Sequence, residues 1–173
     1  MPIIPDTKNW TWVLERECPE CGFDASAIDA RDVPELTRRN VAAWPAVLER
    51  DDLTTRPDEG TWSPLEYAAH VRDVFRTMDT RFRLMLEEDD PQFANWDQDA
   101  TAVLERYNEQ DPVVVSRELE DAGLAVAATI AGVAGGEWQR TGLRGDGARF
   151  TVETLARYFI HDPVHHLYDV SKA

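Results

Sequence analysis

The residues of this chain best suited to chemistry are its four histidines: His70, His161, His165 and His166. One stands alone in a long stretch with helical periodicity, and three cluster near the carboxyl end as HDPVHH. Residues four apart on a helix share a face, with Cβ atoms about 5–6 Å apart. His161 and His165 could therefore hold one ion, with His70 reaching it from a facing helix. Neutral imidazole suits zinc, nickel or ferrous iron. Three protein ligands leave coordination positions open, which is the arrangement of a catalytic rather than a structural metal.

Neighbouring carboxylates fit such a centre. Glu66 and Asp73 lie on the His70 face, and Asp169 continues the His161–His165 stripe. They could orient imidazoles from behind or complete the ligand set. His166 points about 140° away from His161 and about 100° from His165, so it is the poorest candidate for the same ion. It could line the pocket mouth, cap a carbonyl or face solvent. Pro163 lies between His161 and His165 and cannot donate a backbone hydrogen bond. The helix either kinks there or restarts with Asp162 as cap and Pro163 in its first turn.

The two cysteines, Cys18 and Cys21, form a Cys-Pro-Glu-Cys-Gly segment. This is half of a tetrahedral metal site. Completing it from sequence would need His166 or a second subunit. A redox pair and a purely local structural role are the other readings, the last being the default in a reducing cytoplasm.

The elements that position these groups are helical. Residues 1–30 lack helical periodicity and read as an irregular arm, and residues 31–173 read as the bundle. A first helix is predicted from Asp32 to about Arg50, with Pro45 as a possible kink. Ser63-Pro64-Leu65-Glu66 is a capping box with proline at the first helical position, and it opens a helix of about 25 residues. A short helical piece follows near 100–107. Asp111-Pro112 opens a third long helix ending at Gly135-Gly136. The glycine-rich segment after it reads as a loop, and Thr151 opens the last helix. Four long helices predict an all-α four-helix bundle.

Composition limits the partners. The net charge is −15 and the only lysines are Lys8 and Lys172. A chain this acidic, with no basic block, is not expected to bind DNA or RNA. No apolar run reaches membrane-spanning length and the first residues do not resemble a signal peptide, so a cytoplasmic protein without membrane contact is expected.

Three segments carry a family resemblance: TWSPLEYAAHVRDV (61–74), NWDQDA (95–100) and RTGLRGDGARFTVETLARYFIHDPVHHLYDV (140–170). Together they resemble the DinB-like superfamily, in particular its actinobacterial branch. The resemblance implies an up-down-down-up bundle and a divalent metal on three histidines, which map to His70, His161 and His165. Relatives carry an ordinary helix former in place of Pro163. Characterised relatives include mycothiol- and bacillithiol-dependent S-transferases and mycothiol-dependent maleylpyruvate isomerase. The resemblance thus implies a transferase that pairs a small thiol with an electrophilic substrate. A metal would lower the thiol's pKa and so populate the nucleophilic thiolate. Arg140, Arg144 and Arg149 could hold a carboxylate of either reactant. A hydrolase using metal-bound hydroxide and a non-catalytic metal-binding protein are the alternatives, as monomer or homodimer.

Overall fold

The computed structural model describes residues 9–172; the first eight residues of the expected arm and Ala173 lie outside the described residues. Among the described residues there are five α-helices: α1 (Val33–Leu48), α2 (Pro64–Glu87), α3 (Gln98–Leu104), α4 (Pro112–Ala131) and α5 (Val152–Lys172). The long helices α1, α2, α4 and α5 form a four-helix bundle. α2 packs along α4 and α5, and α1 packs along the same two helices. The consecutive helices α1 and α2 are therefore diagonal partners, so α2 and α5 share an interface across which side chains can meet.

Local sequence explains the helix ends. Ser63 and Glu66 form the expected reciprocal capping box at the start of α2. Arg56 also grips the Glu66 carboxylate. Asp111 caps α4, accepting from the Val113 amide at 2.8 Å. α1 begins one residue after the expected Asp32, behind a 3-10 turn over Ala30–Asp32, and ends at Leu48 rather than Arg50. Neither Pro45 nor Pro163 breaks its helix. The buried Asn40 side chain of α1 links that helix to α5, donating to the Pro163 carbonyl at 2.7 Å while accepting from the Trp44 indole at 3.0 Å. α4 ends at Ala131, earlier than expected, and a separate 3-10 turn covers Gly135–Gln139.

Gly123 marks a close helix approach. A Cβ there would lie 2.2 Å from Val41 Cγ2 and 2.9 Å from Phe75 Cε2, so α4 meets α1 and α2 where only glycine fits. Phe75, Phe82 and Phe159 fill the centre of the bundle, each fully buried.

The glycine-rich segment expected to be a loop contains strands. β1 (Gln92–Phe93), β2 (Thr141–Arg144) and β3 (Arg149–Thr151) form a three-stranded sheet in that order, β1 parallel and β3 antiparallel to β2. The hairpin turn closes through Gly147, at φ +91°, whose amide donates to the Arg144 carbonyl. The strands are too short for a period-2 pattern to stand out. No described helix is long and apolar enough to cross a membrane.

Candidate metal centres

α5 carries the chemistry on two adjacent stripes. His161 and His165 occupy one, and Asp162 and His166, each one residue further on, occupy the next, about 100° around the helix. Pro163 leaves the i,i+4 register intact because α5 continues through it. The structure consequently distributes the histidines differently from the expected His70, His161 and His165 set. His70 meets Asp162 and His166, while His161 and His165 meet Cys18 and Cys21; within each group one ligand atom per residue lies within 4.8 Å of the others. The reason is phase: one stripe of α5 looks at α2, and the next looks at the amino-terminal arm.

In the first group, His70 Nε2 lies 3.4 Å and His166 Nε2 lies 3.7 Å from Asp162 Oδ1. Two nitrogen or oxygen ligands on one tetrahedral ion stand about 3.4 Å apart, given bonds of about 2.0–2.2 Å. His70 is fully buried, and neither of its ring nitrogens has a hydrogen-bond partner among the described residues; nor does the buried Asp162 Oδ1. Buried polar atoms are rarely left unmatched, and an ion bound between them is one of the few ways to match them. Burial lowers the His70 pKa, with Asp162 opposing. Burial alone would raise the Asp162 carboxyl, but the His166 and His70 rings outweigh it and hold it at about 2. At about 2 the Asp162 carboxyl is ionised, the form in which a carboxylate ligates a divalent cation.

Surrounding groups fix these ligands. His166 Nδ1 pairs with Asp169 at 3.1 Å, leaving Nε2 for Asp162 and an ion. A carboxylate behind a ligating histidine sets its tautomer and orientation. His70 is stacked on Trp96, with 5.6 Å between centroids and a 4° interplanar angle, and Trp62 packs on it at 4.9 Å.

The second group joins α5 to the arm. Cys18 Sγ lies 3.6 Å from His165 Nδ1, and Cys21 Sγ lies 3.8 Å from His161 Nε2. Both cysteines are free thiols. Burial raises the Cys21 thiol to about 11, against the pull of the Phe23 amide. Burial pushes His161 down to about 4, helped by His165. Burial lowers His165 as well. The arm is not shapeless: a 3-10 turn over Trp10–Leu14 sets Trp10 against the His161 and His165 rings, at 5.4 and 5.2 Å.

Both groups border one cavity of about 330 Å³, lined by Trp10, Trp62 and Tyr67 together with Glu20, Asp162 and His166 among others. A neighbouring groove of about 450 Å³ also reaches Asp162 and includes Arg81 and Arg144.

The other expected residues divide. Asp169 stands behind both His165 and His166. Glu66 serves the α2 cap, and Asp73 is engaged by Arg72 and the Tyr107 hydroxyl, so neither touches His70. Arg144 borders the groove, held by Asp146 and the Tyr158 hydroxyl. Arg140 donates to the Met85 and Glu88 carbonyls and Arg149 pairs with Asp90, in neither case at the cavity. Two residues of the site were missed from sequence. Asp162 was treated only as a possible cap, although Asp162–His166 is itself an i,i+4 pair. Arg81 gave no signal, because an arginine within a long helix normally reaches solvent.

Residues 35–170 match the family model described as the DinB superfamily. No curated protein sequence matches the chain. Among solved structures, YfiT from Bacillus subtilis is similar with a TM-score of 0.64 and 20% identity, over 98% of this chain and 91% of that one. That protein is described as a probable metal-dependent hydrolase with an unusual four-helix bundle topology.

Proposed function

The chain belongs to the DinB superfamily, and from that premise we propose that it is a divalent-metal-dependent enzyme acting on a small molecule, with hydrolysis as its reaction. The observation that carries this is the cluster of unmatched buried atoms on His70 and Asp162 beside His166, at the edge of a cavity. Three protein ligands leave room for a reactant, and the bound ion would supply Lewis acidity there. Two imidazoles and a carboxylate suit zinc, nickel or ferrous iron.

The chain's own residues supply positioning and exclusion of water. Asp169 keeps His166 Nε2 turned inward. Trp62 and Trp96 hold the His70 ring between them. Trp10, Trp62 and Tyr67 offer apolar wall to a substrate. Arg81 and Arg144 sit in the groove that runs to Asp162; Asp146 neutralises Arg144, so Arg81 is the cation there that could meet an acidic group of a substrate. The description of YfiT favours hydrolysis.

Arg81 would serve a second reading equally, transfer of a carboxylate-bearing low-molecular-weight thiol to an electrophile. The test incubates metal-loaded protein with small acidic esters and amides, and in parallel with a low-molecular-weight thiol plus a generic electrophile. Ester or amide cleavage that is lost in His70→Ala supports hydrolysis. Thiol consumption lost in the same variant, without cleavage, transfers the site to the second reading. No His70-dependent turnover in either arm overturns the catalytic assignment.

A further inference from the structure

The second cluster lies outside the ligand set proposed for that reaction, and its geometry has a different meaning. We propose that Cys18, Cys21, His161 and His165 form a structural zinc site that clamps the amino-terminal arm onto α5. This inference does not rest on the catalytic reading.

The distances match those between the corners of a zinc-centred tetrahedron. Zinc–sulfur bonds of about 2.3 Å and zinc–nitrogen bonds of about 2.0–2.1 Å place neighbouring sulfur and nitrogen ligands about 3.6 Å apart. The two sulfur–nitrogen contacts are 3.6 and 3.8 Å. All four ligand atoms fall within 4.8 Å of one another.

The chain around the cysteines is built for this. Cys18-Pro19-Glu20-Cys21-Gly22 folds back on itself, with the Gly22 amide donating to the Cys18 carbonyl at 2.8 Å and the Cys18 amide to the Phe23 carbonyl at 3.0 Å. Gly22, at φ +72°, permits the turn. Behind the cluster, His165 Nε2 faces Glu20 and Asp169 carboxylates, each at 3.6 Å. Nδ1 is thereby left for the ion, the same arrangement that orients His166 at the first centre.

Charge and softness select the ion. Two thiols lose their protons to solvent on binding, and two thiolates neutralise a dication, so the filled site carries no net charge into a buried place. Thiolates favour zinc over magnesium, calcium or manganese. Four protein ligands close the coordination sphere, as structural zinc sites do. A Cys18–Cys21 disulfide would account for the sulfurs but not for two buried imidazoles turned toward them.

Cobalt(II) substitution of the full chain tests the proposal, because thiolate ligands give cobalt an intense near-ultraviolet charge-transfer band. The band is expected in the wild-type protein and in His70→Ala, and is expected to be lost, with one equivalent of metal, in Cys18→Ser/Cys21→Ser. Should that variant not fold, X-ray absorption of the wild-type zinc protein decides: sulfur scatterers at about 2.3 Å support the site. Only nitrogen and oxygen scatterers, or a charge-transfer band that disappears in His70→Ala, overturn it.

Discussion

The two stripes of α5 use similar residues toward opposite ends. On one, His161 and His165 face two thiols in a group of four that would close around zinc with no net charge. On the other, Asp162 and His166 face His70 in a group of three that would leave a bound dication open and positively charged. A step of one residue along the helix separates them, with Asp169 behind a histidine of each. The lesson is that ligand count and charge, rather than the presence of histidine, divide holding from reacting. A closed neutral centre can tie an arm down, and only an open one can take a substrate.

The largest effect should come from the open centre. Asp162→Ala removes a ligand and is expected to lower metal-dependent turnover by at least about 100-fold, the upper end of what merely orienting residues cost. Turnover within tenfold of wild type would remove Asp162 from the ligand set. At the closed centre, Cys18→Ser/Cys21→Ser is expected to lower the melting temperature by on the order of 5–10 °C, the equivalent of losing an ion bound well above its Kd. An unchanged melting curve in metal-replete buffer would show that the arm is held without an ion. Asp169→Asn touches both sides of the comparison. It should weaken metal binding by about 10–100-fold without abolishing it, as read by competition with a chelator.

The smallest effect serves as a control at a residue that belongs to neither ligand set. Glu66→Gln loses the ionised partner of Arg56 and is expected to cost about 1 kcal/mol. Burial opposes the Glu66 charge, but Arg56 and the Ser63 amide outweigh it and depress its pKa below 4.5. A depressed carboxylate stabilises the fold above its unfolded pKa and ceases to as the pH falls through the folded value. The difference between wild type and variant in a denaturant titration should therefore shrink below about pH 4, the unfolded range for glutamate. A difference that grows in acid would contradict the assignment.

Much of this arrangement was legible before any coordinates. The Ser63 and Asp111 caps and the long helices follow from short-range patterns, and the histidines and cysteines stood out by type and spacing, but Asp162 as a partner of His70 did not. What sequence could not give was pairing across space. His161 and His165 share a face wherever α5 runs, but only the packing of the arm against α5 decides that Cys18 and Cys21 meet them. His166 was set aside because it is out of phase with His161, and that phase difference is what turns it to His70. Pro163 left two local geometries open, and the Asn40 bond to its carbonyl belongs to the unbroken helix found. The short strands were hidden because two to four residues carry too little alternation to read.

The most direct test is anomalous diffraction at the zinc edge from crystals of the metal-replete protein. The account predicts two separate peaks per chain, one among Cys18, Cys21, His161 and His165 and one among His70, Asp162 and His166. A single peak shared by His70, His161 and His165 would contradict it.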